Sequence, residues 1–214
     1  MLARVLVVLG GYVFGLFQTG YFLGKSMHKD IRSEGSGNAG ATNALRVFGL
    51  KAGITVFAGD LLKSVLYCLI IKGLFSHYFG EATQMMMFYG GIGVVLGHTY
   101  PFYLGFKGGK GIASTAGVIL AFDWRIAVIC FALFLTITLT TQYVSLASLS
   151  ALTMFLLLEQ VFLHFDWVSL PAAHMTEMLV LSILFVAHAF FTHRANLVRL
   201  AHGNENKTNL LKKK

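Results

Sequence analysis

Proline occurs twice and cysteine twice in 214 residues, and acidic side chains number nine. So little proline, with no biased tract, excludes collagen-like and low-complexity chains. Cys68 and Cys130 lie in apolar runs without C-x-x-C spacing, which excludes a disulfide framework and a zinc site. Both read as small buried apolar side chains. Charge is scarce: 12% of residues, against roughly 25% in a soluble domain. Hydrophobic residues instead reach 56%, with 19 Phe and a mean hydropathy of +0.70. A soluble core of ~200 residues needs polar surface to stay dispersed, and disorder requires far less burial capacity than this. The composition is that of an integral membrane protein with one domain, residues 1–214.

The net charge is +8. Its basic residues flank apolar runs, which suits membrane orientation and anionic headgroups or phosphate substrates. There is no nucleic-acid-binding signature. The first apolar run, Val5 to Gly24, is followed by no small-residue cleavage site and reads as a retained span.

Candidate spans are 5–24, 52–72, 82–104, 112–122, 126–142, 146–163 and 175–192. Residues 112–142 could form one long helix, but Asp123-Trp124-Arg125 suits an interfacial turn. With seven spans and the N-terminus outside, the inner side holds Lys25, Lys29, Arg32, Arg46, Lys51, Lys107, Lys110, Arg194, Arg199, Lys207 and Lys212 to Lys214, thirteen of seventeen basic residues. Six spans would put the basic C-terminal tail outside, against the positive-inside bias. The expectation is seven transmembrane helices with a cytoplasmic C-terminus. The short fourth span then starts at a loop dipping into the bilayer, and the Lys212–Lys214 tail faces headgroups.

Three polar segments then share the cytoplasmic side. The first, Arg32 to Arg46, contains Ser36, Gly37, Gly40 and Asn43. Its glycines permit positive φ and close approach to a ligand, successive N–H groups form an anion nest, and Arg46 adds a fork suited to phosphate. The bland reading is a flexible loop. The second, Gly97 to Gly111, sets Lys107 and Lys110 around Gly108 and Gly109 just before a helical run, whose N-terminal N–H groups can face the same anion. Flanking charge alone does not need five glycines. The third, His193 to Lys207, puts Asn196 and Arg199 on one helix face with His193 a turn earlier. His193 could be a general base, a phosphate ligand or a solvated residue. Ser145 and Ser148 lie at a nearby turn, where small-residue packing is the alternative. Asp60 and Lys63 sit inside the second span; such groups mark either function or a structural ion pair.

Two near matches to a nucleotide P-loop fail. Gly20 to Ser26 is one residue short and follows no strand, and Gly109-Lys110 lacks the following hydroxyl. None of the eight histidines has Asp five positions later, so the H-x-x-x-x-D acyltransferase mechanism is absent.

Taken together, the segments resemble the bacterial acyl-phosphate:glycerol-3-phosphate acyltransferases of the PlsY type. The first resembles that family's S-G-S-G-N-x-G-A-T-N loop, the second its G-H-x-x-P-x-F-x-x-F-K-G-G-K-G, and the third its H-R-x-N-I-x-R-L-x-x-G-x-E. Asp60 and Lys63 are similar to its D-x-x-K-G. The match runs in order from about 32 to 207. Tyr103, Leu197, Ser64 and Glu34 depart from the pattern, and none removes a phosphate donor.

The resemblance implies a multi-pass bacterial cell-membrane enzyme with a cytoplasmic active site. It would move a fatty acyl group from acyl phosphate to the free terminal hydroxyl of glycerol-3-phosphate, giving lysophosphatidic acid and phosphate for phospholipid synthesis. It implies no cofactor and no metal, and substrates and bilayer as partners; the chain is expected to be a monomer. By matching positions, Ser36, Arg46 and Lys107, with the N–H groups of Gly37, Gly108 and Gly109, bind phosphate, and Lys110 shares this work. Gly40 and Ser145 join the substrate site, Asn43 orients a substrate or the loop, and Asn196 and His193 sit near glycerol-3-phosphate. The proton acceptor is either His193 or the substrate's own phosphate. The rival readings are an anion transporter, a membrane scaffold, and a CDP-alcohol phosphotransferase lacking its multi-Asp motif. All of this requires the three segments to converge on one cup.

Overall fold

The structure is a computed structural model that describes residues 1–208; the expectation for Lys212–Lys214 lies outside them. Within a bilayer every backbone polar group must be satisfied internally, which favours helices. Among the described residues the regular structure is all helical. The helices are α1 (Leu2–Gly15), α2 (Thr19–Ser26), α3 (Ala41–Phe48), α4 (Leu50–Phe79), α5 (Thr83–Thr99), α6 (Ile112–Phe122), α7 (Trp124–Thr141), α8 (Val144–His164), α9 (Ala172–Thr192) and α10 (Arg194–Ala201), with short 3-10 turns between some of them.

Among the described residues five stretches are long and apolar enough to cross a membrane: Leu2–Ser26, Leu50–Leu104, Trp124–Thr141, Val144–His164 and Ala172–Thr192. The second of these holds both α4 and α5, which pack against each other on either side of the turn Gly80–Ala82. Between α6 and α7, Asp123 is extended and its carboxylate accepts from Arg125 N and Ile126 N, so residues 112–142 are two helices. Phe122 ends the first and Trp124 starts the second.

The first apolar run, expected as a span over 5–24, lies within the span Leu2–Ser26 but is built of two helices. It breaks at Leu16–Gln18, and Gln18 is extended and fully buried. The carbonyls released by the break are satisfied by Lys63, whose Nζ donates to Gly15 O at 3.3 Å and Phe17 O at 2.6 Å. The Gln18 side chain donates to His98 O at 2.8 Å.

Helices α1 and α5 meet backbone to backbone. A Cβ at Gly11, Gly15, Gly93 or Gly97 would overlap a carbonyl oxygen of the facing helix. This is the close approach that small residues at four-residue spacing allow in membranes. Beside the seam, Phe88 stacks edge-on against Phe185 at 5.2 Å and Phe122 at 5.8 Å, forming an aromatic centre with Phe155. At the far end from the polar segments, Arg4 of α1 donates to both Glu177 oxygens at 2.6 and 2.8 Å, and Tyr89 of α5 donates to one of them at 2.6 Å. Outward faces carry bare apolar side chains such as Leu66, Leu69, Ile183 and Leu184, surface that suits lipid rather than water. Both cysteines are buried, as expected.

Candidate functional site

One cavity of about 290 Å³ gathers residues from all three polar segments, near the lower end of the size range of small-molecule sites. Ser36, Gly37, Gly40, Asn43 and Arg46 come from the first, Lys110 and Gly111 from the second, and His193, Asn196, Arg199 and Glu205 from the third. Ser145 and Ser148 of α8 complete it, as do Asp60 and His98.

The first segment is held by Asn43. Its buried amide donates to Ile31 O and Glu34 O, each at 3.0 Å, and accepts from Ser36 N at 2.8 Å. Asn43 thus orients the loop. Gly35 is left-handed at φ 58°, and a Cβ there would strike the Asn43 amide oxygen. The amphipathic α3 that follows carries Arg46 to the cavity.

The glycine N–H groups depart from expectation. Gly37 N donates to Glu34 O at 3.0 Å, Gly108 N to Thr99 O at 3.1 Å and Gly109 N to His98 O at 3.2 Å. Backbone carbonyls therefore occupy the donors assigned to phosphate. Gly108 and Gly109 instead permit contact: a Cβ on either would collide with His98, at its carbonyl oxygen or its ring. Lys107 departs too. Gly105 and Phe106 both adopt positive φ, at 62° and 60°, and the chain turns Lys107 outward to an exposed position. Lys110 is the lysine of the pair that lines the cavity. Beside it Gly111, Ile112 and Ala113 present the first turn of α6, where N–H groups lack helical partners.

In the third segment a carboxylate organises the cations. Glu205 accepts from Asn196 Nδ2 at 2.6 Å, Ser145 Oγ at 3.0 Å and Arg199 Nε at 2.8 Å. Lys110 Nζ donates to Asn196 Oδ1, closing a chain from the second segment to the third. Arg46 donates to Asn206 O at 3.4 Å and Thr208 Oγ1 at 3.3 Å, and Thr208 N donates to Gln142 O at 2.9 Å, so the stretch after α10 forms one wall. Burial raises the Glu205 carboxyl, but its three hydrogen bonds outweigh that and hold it below its ordinary value. Burial lowers the Lys110 ammonium to about 8, with Arg199 and Arg46 pushing the same way and Glu205 opposing. His193, in the junction between α9 and α10, is lowered to about 4 by burial and by Lys110. Its Nδ1 lies 2.8 Å from Ala189 O. A carbonyl only accepts, so Nδ1 carries the proton and Nε2 keeps the lone pair.

Asp60 and Lys63 are both an ion pair and neighbours of the site. Lys63 Nζ donates to Asp60 Oδ1 at 3.0 Å, as does Thr19 Oγ1 at 3.0 Å, and Asp60 itself lines the cavity. Arg199, Glu205 and His98 belong to the quoted motifs but were not expected at the site. The available signal was the lone carboxylate within a basic stretch: a charge surrounded by opposite charges has a partner to hold.

An apolar slot opens beside the polar cavity. It is lined by Ile119 of α6, Ala127, Cys130 and Phe131 of α7, and Ala151 and Leu152 of α8, and it shares Phe57, Ile112, Phe134 and Ser148 with the polar cavity. A basic cup continuous with a hydrocarbon groove suits an amphiphile with an anionic head.

Residues 5–203 match the family model described as glycerol-3-phosphate acyltransferase. The glycerol-3-phosphate acyltransferase of Thermoanaerobacter pseudethanolicus is 41% identical over 95% of this chain and 94% of its own. That of Lactiplantibacillus plantarum is 37% identical over 94% and 90%. Among solved structures, PlsY, an integral membrane glycerol 3-phosphate acyltransferase, matches in its glycerol 3-phosphate form with a TM-score of 0.82, at 35% identity, over 96% of this chain and 95% of that one. The lysophosphatidic acid form matches with a TM-score of 0.78 at 33% identity, over 95% and 94%. Motifs, cavity and comparisons agree: the chain belongs to the glycerol-3-phosphate acyltransferase family, the PlsY group of integral membrane enzymes.

Proposed function

We propose that this enzyme transfers a fatty acyl group from acyl phosphate to the free terminal hydroxyl of glycerol-3-phosphate, releasing lysophosphatidic acid and inorganic phosphate. The observation that carries this reading is the shared lining of the basic cavity and the apolar slot by Phe57, Ile112, Phe134 and Ser148. A donor with a phosphoryl head and an alkyl tail fits across that junction. The solved PlsY forms, carrying glycerol 3-phosphate and lysophosphatidic acid in their names, support the acceptor and product.

In the step proposed, the acceptor hydroxyl oxygen attacks the acyl carbonyl carbon and a C–O ester bond forms. The C–O bond to phosphate breaks, and phosphate leaves with the electron pair. The hydroxyl proton passes to His193 Nε2 or to a phosphate oxygen. Two phosphates repel each other in one site, and Arg46, Lys110, Arg199 and the N-terminus of α6 offset that repulsion. Ser36 and Gly40 close the head-group end, while Asn196 and Ser145, tied to Glu205, fix the geometry. The mixed anhydride is already activated, so the step calls for no further activating group.

The reading includes seven crossings, with α4 and α5 counted separately and the broken first helix as one. The N-terminus is then outside and the cavity cytoplasmic, in a bacterial cell membrane, with the chain acting as a monomer. The basic residues of the three segments support this orientation. Detergent-solubilised protein supplied with acyl phosphate and radiolabelled glycerol-3-phosphate tests the chemistry. Lysophosphatidic acid should form without a sealed compartment; its absence would overturn the reading and reopen a transport role.

A further inference from the structure

The cavity touches one imidazole that the step above does not use. His98, at the end of α5, is buried against Asp60 and Lys63. The Lys63 nitrogen faces Gly15 O at 3.3 Å, Phe17 O at 2.6 Å and Asp60 Oδ1 at 3.0 Å. Each of these groups only accepts, and beside the Asp60 carboxylate the nitrogen is an ammonium with three protons to give, Gly15 O being the longest of the three contacts. His98 Nδ1 lies 2.9 Å from it, nearer than Gly15 O, so Phe17 O, His98 Nδ1 and Asp60 Oδ1 take the three protons. Asp60 Oδ1 is 3.5 Å from the same ring nitrogen, beyond a good N–H···O distance. Nδ1 is therefore the acceptor, and a neutral imidazole with Nδ1 so engaged carries its proton on Nε2.

That second nitrogen is where a donor is useful. Nε2 is the nearest atom to the position a Cβ would take on Gly109, one residue before Lys110. His98 and Lys110 both line the cavity. Glycine at 109 thus leaves room for the imidazole tip beside Lys110, where any side chain would collide with it.

We propose that His98 is a further substrate-binding residue, whose Nε2–H donates to a phosphoryl oxygen beside Lys110, with Lys63 and Asp60 as the positioning residues that fix its tautomer. This rests on the acyltransfer reading for the identity of the ligands. The phosphoryl group belongs to glycerol-3-phosphate or to the acyl donor, and the test separates the two.

The measurement is nitrogen NMR of protein labelled with 15N-histidine in micelles, with His98 assigned through the His98→Gln variant. In the wild type, Nδ1 should show the unprotonated signature and Nε2 the protonated one. Either glycerol-3-phosphate or a non-hydrolysable acyl phosphonate should shift Nε2, and the one that does identifies the phosphate bound. His98→Ala should raise KM for that same substrate about ten- to hundredfold, the range for losing one hydrogen bond to a charged group. Its kcat should stay within a few-fold, and His98→Gln, which keeps an amide donor, should recover much of the loss. Lys63→Met should spread the proton over both ring nitrogens. A wild-type proton on Nδ1, or an Nε2 signal that neither ligand moves, would overturn the proposal. Those readings require no turnover, so a failure of the acyl-phosphate reaction itself is seen separately.

Discussion

The Asn196 amide donates to the Glu205 carboxylate at 2.6 Å, and this turns its oxygen toward Lys110. Two segments far apart in sequence are thereby joined through a side chain whose donor and acceptor ends are both committed. Glu205→Ala leaves the Asn196 and Ser145 donors unpaired, at about 1–3 kcal/mol for each buried orphan. A lower Tm by fluorescence-monitored unfolding is expected, with a raised KM for glycerol-3-phosphate. Wild-type values for both would show that the carboxylate organises nothing.

Lys110 sets an alkaline limit. Its ammonium titrates at about 8, so the cation is present below that pH and is lost above it. If phosphate needs that charge, kcat/KM should fall toward tenfold per pH unit beyond 8. Lys110→Arg should push the fall to much higher pH. Lys110→Met should cost more activity than Lys107→Met, because only the former side chain lines the cavity. Equal losses at the two positions would contradict that assignment.

His193 sets no limit near neutrality. With its titration lowered to about 4, it is neutral from about pH 5.5 upward, and its Nε2 is available throughout. As the proton acceptor, His193→Ala should reduce kcat on the order of a hundredfold without reshaping the profile between pH 5.5 and 7.5. An acid limb near 6.5 that vanishes in the variant would show that burial does not lower this imidazole. Unchanged kcat would assign the proton to the substrate's phosphate.

Ala151 lines the slot between α7 and α8. Ala151→Phe should fill part of it and shift preference to shorter acyl phosphates. Burying each methylene is worth about 0.8 kcal/mol, so excluding two should cost roughly tenfold in kcat/KM for the longer donor. A chain-length profile identical to wild type would place the tail elsewhere.

The α1–α5 seam tolerates no added atom. Gly97→Ala sets a methyl against the Tyr12 carbonyl, and such overpacking costs about 1–3 kcal/mol. Gly73→Ala on α4 meets nothing within 4 Å and should be neutral or stabilising by up to about 1 kcal/mol. Paired melting curves in one detergent check both signs.

Much of the helical layout follows from run length alone. The expected span 112–122 coincides with α6, and the turn at Asp123 is where the Asp-Trp-Arg triplet suggests. The convergence of the three segments also follows once they lie on one side. Less legible was anything decided by a distant partner. The break before Gln18 depends on Lys63, forty-odd residues away, capping the freed carbonyls. Gly108 and Gly109 look like anion donors until the carbonyls of Thr99 and His98 claim their N–H groups. Lys107 and Lys110 are equivalent in one dimension, and only the positive φ angles at Gly105 and Phe106 separate them. Glu205 could be read only as part of a motif, because its three partners come from α8 and α10.

The stretch from Glu205 to Thr208 walls the cavity yet follows every long helix among the described residues. A ribosome therefore makes these helices before it supplies the residues that make the pocket whole. Half-translated copies lack the clasp on Asn196 and Arg199, so a partly made chain has no whole cavity to fill.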